Sequence, residues 1–133
     1  MSVPTSVLVV GAGLAGARTV SALRELGFTG SIHLLGAEGL APYDRPPLSK
    51  HLLNRTTPVL LSDDLGIDVV ALADTYLDRP ATWLDLTRSR PTVGTPDGEL
   101  SGDALVIATG STPLLPGGWH GAMTLRTAED AAL

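Results

Sequence analysis

The chain has 133 residues, enough for one domain with a single core, and its 44% hydrophobic and 17% charged residues are typical of a globular protein. A net charge of −5 argues against a general nucleic-acid or anionic-membrane surface. The lack of cysteine excludes a disulfide scaffold, a thiol nucleophile and a dithiol redox relay within these residues, and we expect a cytoplasmic location.

The start of the chain is apolar and could be mistaken for the core of a signal peptide. No basic residue precedes it, since the first cation is Arg18, and glycines interrupt it, so we expect no signal peptide. No run reaches the roughly 18 apolar residues that a membrane-spanning helix needs, and we expect no membrane segment.

The first elements in chain order have the pattern of a strand, a helix and a second strand. The β-branched run Ser6–Val10 is typical of a strand buried on both faces. Apolar residues at helical spacing follow over residues 14–26, and Gly27 is placed to end this helix. The apolar run at 31–36 completes a right-handed βαβ unit, which predicts a pair of parallel strands.

In the middle of the chain we expect a loop at 37–46 and a short helix, opened by prolines, within PPLSKHLL at 46–53. Strands are expected at 67–70 and 81–86, then a hairpin around an Asp97-Gly98 turn, and a further strand at 104–110. The secondary structure of residues 54–66 is ambiguous from the sequence.

The end of the chain carries a helix start. Thr127 is the predicted N-cap, with Glu129 and Asp130 in the first turn. A helix that reaches only Leu133 is too short to be stable alone. We therefore expect either that another element holds it or that the natural chain continues.

The motif GAGLAG at 11–16 lies between the first strand and the first helix. Gly11 permits a tight turn, Gly13 lets a pyrophosphate approach the helix N-terminus, and Gly16 lets the helix pack closely on the sheet. An acidic residue for a ribose hydroxyl is expected about 20 residues on, where Glu38 lies. The predicted nucleotide-binding residues are Gly11, Gly13, Leu14, Ala15, Gly16 and Glu38; the alternative is a structural turn with an incidental glutamate.

Three further motifs follow in the sequence: PYDRPPLSK at 42–50, LVIATGSTP at 105–113 and LRTAEDA at 125–131. Together with GAGLAG, and in the same order, they resemble the N-terminal part of the ferredoxin-reductase-like, pyridine-nucleotide-dependent flavoproteins. That family includes the reductases of Rieske-type dioxygenases, putidaredoxin and rubredoxin reductases, and apoptosis-inducing factor. The resemblance covers nearly the entire chain. It implies an α/β, Rossmann-like FAD/NAD(P)-binding fold with a βαβ start and a small antiparallel insertion. We expect residues 1–133 to hold only part of this fold.

The resemblance implies FAD rather than NAD at residues 11–16. It places Arg45 near the phosphate and ribose groups of the cofactor. It places Lys50, the only lysine of the chain, beside the reactive edge of the isoalloxazine, where a compact cation favours reduced flavin. The alternatives are a surface salt bridge for Arg45 and a solvated side chain for Lys50.

Two other places in the sequence are implied to be near FAD. Ala108, Thr109 and Gly110 end a strand where family members pass the pyrophosphate, although a plain strand-end turn is the alternative. Thr82 falls where the family's backbone reads the adenine edge. No metal site is expected, since His33, His51 and His120 have no ligand spacing.

Full-length members of the family continue into an NAD(P)H-binding domain and a C-terminal domain. We therefore expect residues 1–133 to be the N-terminal segment of the FAD-binding domain. In the complete enzyme, electrons pass from NAD(P)H through FAD to a ferredoxin-type iron–sulfur protein. Whether this chain is itself an enzyme stays open, because it could pair with a second chain that supplies the other domains, or be a truncated or degenerate FAD-binding module without turnover. A simple NAD-binding domain is disfavoured by PYDRPPLSK.

Overall fold

The computed structural model describes residues 2–50 and 57–132. Its strands and helices are β1 (Ser6–Val10), α1 (Leu14–Glu25), β2 (Ser31–Leu35), β3 (Tyr43–Asp44), α2 (Pro47–Lys50), β4 (Val59–Leu60), α3 (Leu61–Asp64), α4 (Val69–Leu72), β5 (Asp74–Tyr76), β6 (Trp83–Asp85), β7 (Thr92–Thr95), β8 (Gly98–Ser101), β9 (Ala104–Ile107) and α5 (Ala128–Ala131). In this part of the chain, no helix is long and apolar enough to cross a membrane.

The main sheet is parallel and has the strand order β5-β2-β1-β9. Val10, the last residue of β1, is level with Leu35 of β2 and with Ile107 of β9, so the carboxyl ends of the three strands coincide. The chain runs outward from β1 to β2 and β5, then returns to the opposite side of β1 as β9. The change of direction between β1 and β9 is the switch point at which such sheets bind ligands. The predicted α/β, Rossmann-like fold is confirmed.

The strand β1 is buried along its whole length, as its β-branched composition predicts. Val9 packs on one side of the sheet, in a cluster that includes Ala17 and Val20 of α1. Leu8 packs on the other side, in a cluster that includes Val93 of β7. Leu8 and Val9 are 0% exposed, so the strand is covered by helices on one face and by the small antiparallel sheet on the other.

The predicted antiparallel insertion is the sheet β6-β7-β8. Its hairpin is confirmed, but the turn lies one residue earlier than expected. Thr95 pairs with Gly98, so the two-residue loop is Pro96-Asp97, and Gly98 begins β8 at a φ of +126° that favours glycine.

The strand predicted at 67–70 is wrong, because a helix begins there. The Asp68 carboxylate accepts the N–H groups of Val70 and Ala71, so Asp68 is the N-cap of α4. The outer strand of the sheet is instead β5, which follows this helix directly. The other differences are shorter elements: the run at 104–110 ends as a strand at Ile107, and the helix within PPLSKHLL is described only as far as Lys50. His51 lies outside the described residues.

The predicted helix start near the end of the chain is confirmed. The Thr127 hydroxyl accepts the N–H of Asp130, and the Asp130 carboxylate accepts the N–H of Thr127, which completes a capping box. The helix α5 has four residues and is held by another element, because the N–H of Ala128 donates to the Tyr43 hydroxyl.

Arg24 joins the end of α1 to its neighbours. Its Nε donates to Leu72 O, and its Nη1 donates to Phe28 O and Gly30 O, at 2.7 to 2.9 Å. We expect Arg24→Met to lower the free energy of unfolding by about 2–3 kcal/mol, because three partly buried carbonyls lose a charged donor. Urea denaturation measures this change, and Arg18→Met, on an exposed position of the same helix, is the control. Equal losses in the two variants would contradict the role of Arg24.

Asp103 joins the amino ends of β1 and β9. Its Oδ2 accepts the hydroxyl and N–H of Thr5 at 2.8 Å and the N–H of Ser6 at 3.1 Å, while its Oδ1 pairs with Arg90. The bonds from the Thr5 hydroxyl and N–H are the main reason that the pKa of Asp103 is lowered to about 2. Since this pKa is lower in the folded than in the unfolded chain, the stabilising contribution is present above about pH 4 and is lost as the pH falls toward 2.

We therefore expect Asp103→Asn to lower the urea midpoint at pH 7 and to have a progressively smaller effect as the medium is acidified below pH 4. Urea denaturation at a series of pH values measures the gap between variant and wild type. Asp64→Asn, at an exposed carboxylate, controls for the loss of one surface charge. A gap of constant size from neutral to acid pH would show that the ionised carboxylate is not what stabilises this junction.

Candidate functional site

A cavity of about 540 Å³ opens at the carboxyl ends of β1, β2 and β9, at the switch point of the sheet. Six stretches of the chain converge there: the turn after β1, the loop after β2, the segment that includes β3, the residue after β5, the end of β9 and the residue before Thr127. The lining residues are 11–15, 36–38, 40, 43–46, 77, 107–110 and 126.

Gly11, in the turn after β1, and Gly16, in α1, are required by close backbone contacts. Gly11 has a φ of +114°, and a Cβ at this position would lie 2.1 Å from Ala108 O. A Cβ at Gly16 would lie 1.8 Å from Gly11 O. Gly16 is not in the lining of the cavity, and its lack of a Cβ lets α1 lie close to the turn after β1.

Gly13 differs from both, because a Cβ there would meet no atom within 4 Å. It is the N-cap of α1, and no side chain in the described part of the chain accepts a hydrogen bond from the first turn of this 12-residue helix. The first turn also holds no acidic residue, while Leu14 and Ala15 line the cavity. The helix start thus offers free N–H groups and the positive end of the helix dipole to an anion.

A polar cluster of Glu38, Tyr43 and Arg45 forms one side of the cavity. Arg45 Nη2 pairs with Glu38 Oε1, and the Tyr43 hydroxyl donates to Glu38 Oε2. Arg45 Nη1 also donates to the Tyr43 hydroxyl oxygen at 3.1 Å, and the guanidinium carbon lies 5.2 Å from the centre of the tyrosine ring. The side chains of Glu38 and Arg45 are 27% and 29% exposed, so both charges face the cavity while compensating each other.

Arg126 adds a second guanidinium to the cavity and was not a candidate from the sequence. Its Nη2 lies 2.8 Å from the position that a Cβ of Gly110 would take, and its carbonyl accepts from Arg45 Nη1 at 2.7 Å. LRTAEDA was recognised as a motif, but nothing in it singled out the residue before the N-cap. Tyr43 was missed in the same way, although it belongs to PYDRPPLSK.

The structure brings most of the predicted site residues together around this cavity: Gly11, Gly13, Leu14, Ala15, Glu38, Arg45, Ala108, Thr109 and Gly110. Lys50 is exposed at the end of α2 and is not in the lining. Thr82 lies in a separate hollow of about 220 Å³ beside β6, and its N–H donates to Gly94 O at 2.9 Å. The two cavities share Ile107 and Thr109.

The chemistry of the cavity is that of a binding site. Over residues 2–50 and 57–132, no serine, cysteine or histidine lines it. What it presents instead is a row of backbone donors next to two arginines, Arg45 and Arg126, and two acidic residues, Glu38 and Asp44. This arrangement suits a long ligand that carries phosphates and hydroxyl groups.

Residues 5–132 match the family described as pyridine nucleotide-disulphide oxidoreductase. The chain is 42% identical to the chlorobenzene dioxygenase, ferredoxin reductase component, of Cupriavidus sp. (strain PS12), over 95% of this chain and 32% of that protein. It is 38% identical to the benzene 1,2-dioxygenase system ferredoxin–NAD(+) reductase subunit of Pseudomonas putida, over 96% of this chain and 32% of that protein.

Two solved structures show the same likeness. Fdr9 superimposes with a TM-score of 0.81 at 44% identity, over 96% of this chain and 31% of that one. The covalent putidaredoxin reductase–putidaredoxin complex gives a TM-score of 0.77 at 33% identity, over 96% and 32%. The chain therefore spans about a third of the length of the relatives it matches.

Proposed function

The chain belongs to the pyridine nucleotide-disulphide oxidoreductase family, and we propose that its cavity binds FAD as part of an NAD(P)H-dependent ferredoxin-type reductase. The resemblance to ferredoxin-reductase-like flavoproteins is confirmed, since the matched relatives include ferredoxin reductases of dioxygenase systems. The chain holds no cysteine, so it cannot supply a redox disulfide itself. The observation that carries the proposal is the open space beside Gly13 at an uncapped helix start.

The residues of the cavity fit the parts of FAD. Its volume of about 540 Å³ lies within the range of small-molecule and cofactor sites. The turn at 11–15 and the segment 108–110 would hold the pyrophosphate, with Arg45 and Arg126 as compensating cations. Glu38 would accept hydroxyl groups of the ribose, since a carboxylate keeps lone pairs beyond the two bonds it makes here.

The bound flavin supplies the redox chemistry, because it accepts a hydride and can release electrons singly. The protein contributes placement and charge. Lys50 is assigned to the edge of the isoalloxazine and Thr82 to the adenine edge on the strength of the family motifs. Both roles stay proposals, since the two residues lie outside the cavity lining. Lys50 lies four positions after Pro46 in the sequence, and Pro46 lines the cavity.

Turnover needs partners that these residues do not include. The proposed donor is NAD(P)H and the proposed acceptor is a ferredoxin-type iron–sulfur protein, by analogy with the named relatives. Residues 1–133 would then be the N-terminal segment of the FAD-binding domain, acting in the cytoplasm. The rest of the enzyme would come from the same polypeptide or from a second chain.

A second candidate is an FAD-binding module without turnover. The two functions differ in one measurement. NADH-dependent dye reduction by the natural full-length protein is expected for the reductase, and its absence is expected for the module.

Binding of FAD by the purified 133-residue chain tests the shared part of both functions. We expect visible flavin absorption to remain after the chain is mixed with FAD and desalted. In a titration we expect NAD⁺ to bind at least about tenfold more weakly than FAD. Circular dichroism establishes that the chain is folded. A folded chain that prefers NAD⁺, or that binds no FAD, would contradict the proposal.

A further inference from the structure

The Tyr43 hydroxyl joins three separate parts of the chain. It donates to Glu38 Oε2, in the loop after β2, and it accepts from Arg45 Nη1 at 3.1 Å. It also accepts from the N–H of Ala128, at 2.9 Å, at the start of α5. A phenol hydroxyl has one proton to donate and two lone pairs, so its hydrogen-bonding capacity is used in full.

The surroundings of Tyr43 hold this hydroxyl in place. The residue is 6% exposed, so the ring has little freedom to move. Burial, and then the bond to Glu38, raise the pKa of Tyr43 above its ordinary value. A phenol is a hydrogen-bond donor at neutral pH even at its ordinary pKa, and the raised pKa extends that state further into the alkaline range.

Among residues 2–50 and 57–132, two hydrogen bonds attach the segment 126–128 to the wall of the cavity. Its own helix, α5, has four residues, and the capping box of Thr127 and Asp130 fixes only the local conformation. The bonds that attach the segment to the cavity wall run from Ala128 N–H to Tyr43 and from Arg45 Nη1 to Arg126 O, at 2.9 and 2.7 Å. Both anchors come from the β3 region, and Tyr43 itself orients Arg45 through their mutual bond.

We propose that Tyr43 is a positioning residue: its hydroxyl holds the segment 126–128 against the cavity and so keeps the Arg126 guanidinium beside Gly110. The expected effect on FAD affinity rests on the proposed function, since the Arg126 guanidinium adds to that affinity only if the cavity binds FAD. The attachment itself is independent of any ligand. Tyr43 does not have to touch the ligand for this role.

Two variants remove the bond from opposite sides. Tyr43→Phe keeps the ring and loses the hydroxyl. Ala128→Pro removes the N–H that reaches Tyr43 and turns the proline Cδ toward the Tyr43 hydroxyl, so the segment can no longer lie against it. Proline is tolerated at the first position of a helix, and Thr127 before it is already extended, at φ −110° and ψ 166°. Tyr76→Phe, at the other tyrosine of the chain, is the matched control.

Trypsin cleavage after Arg126 is the readout without ligand, and it is measured relative to cleavage after the exposed Arg88 in the same molecule. We expect both Tyr43→Phe and Ala128→Pro to raise this ratio several-fold, while Tyr76→Phe leaves it unchanged. Circular dichroism confirms folding, and if Tyr43→Phe does not fold, Ala128→Pro decides. An unchanged ratio in the folded variants overturns the proposal.

A double-mutant cycle with Arg126→Gln is the readout with ligand. We expect Tyr43→Phe to weaken FAD binding about tenfold in the natural background and by a smaller factor when Arg126 is already replaced. The loss that remains reports the bonds of Tyr43 to Glu38 and Arg45. Fully additive losses overturn the proposal, because Tyr43 would then act independently of Arg126. If the natural chain binds no FAD, the proposed function fails, and the trypsin ratio still decides whether Tyr43 holds the segment.

Discussion

Replacing Gly13 by aspartate is expected to weaken FAD binding by about 100-fold, or about 2.7 kcal/mol, without unfolding the protein. Gly13 is the N-cap of α1, with φ −87° and ψ −167°, and a Cβ there enters open space. Aspartate is a favourable N-cap, so its carboxylate would take the helix N–H groups that the pyrophosphate needs. Its negative charge would also repel the phosphates.

Equilibrium titration with FAD measures the loss, and urea denaturation measures the stability of the same samples. Gly13→Ala is the control for size, since it adds a methyl group without charge or an acceptor. We expect it to weaken binding by a smaller factor. A Gly13→Asp variant that is as stable as the natural chain and binds FAD equally well would show that the ligand does not use this helix start.

Gly16→Ala, unlike Gly13→Asp, is expected to destabilise the fold strongly. Its Cβ would lie 1.8 Å from Gly11 O and 3.0 Å from Gly11 C, and neither backbone atom can turn aside as a side chain would. Alanine normally favours a helix by about 1 kcal/mol over glycine, so the clash must exceed that gain. We expect a net cost of roughly 3–5 kcal/mol, the upper range for single substitutions.

Thermal denaturation followed by circular dichroism measures this loss, which corresponds to a fall in Tm of roughly 10–15 °C. Gly117→Ala is the control, because a Cβ at Gly117 would meet nothing within 4 Å. If Gly16→Ala and Gly117→Ala melt at the same temperature, α1 does not depend on the close approach at Gly16.

The parts of the fold that could be predicted from the sequence are those with a local signal. The run Ser6–Val10 is apolar because the strand is covered on both sides, and the glycines after it identify the turn. The Thr127 N-cap was predicted because capping depends on residues within one turn. In each case the residues that decide the structure are neighbours in sequence.

The errors arose where elements are short. The run at 67–70 has the β-branched residues of a strand, but the Asp68 carboxylate caps a helix there. The strand β5, Asp74–Tyr76, has three residues and no alternating pattern, so its place in the sheet follows only from pairing with β2. Such pairing is a tertiary effect that outweighs local propensity.

The part of the site at 11–16 could be predicted, because a single sequence motif contains the residues that form it. The roles of Tyr43 and Arg126 could not, because their contacts join residues that are more than 80 positions apart in sequence. Lys50 is the reverse case, because its motif is clear but its side chain lies outside the cavity lining. Thr82 has no motif of its own and also lies outside that lining. Their assignment to the flavin and the adenine stays a prediction.

We propose that the cavity at the carboxyl ends of β1 and β9 binds FAD. The most direct test is a titration of the ¹⁵N-labelled chain with FAD, followed by the chemical shifts of its backbone amides. We expect the largest changes at residues 11–15, 36–38, 43–45, 108–110 and 126, which line the cavity. Changes centred on the hairpin at 92–101, or an unchanged spectrum of the folded chain at saturating FAD, would contradict the claim.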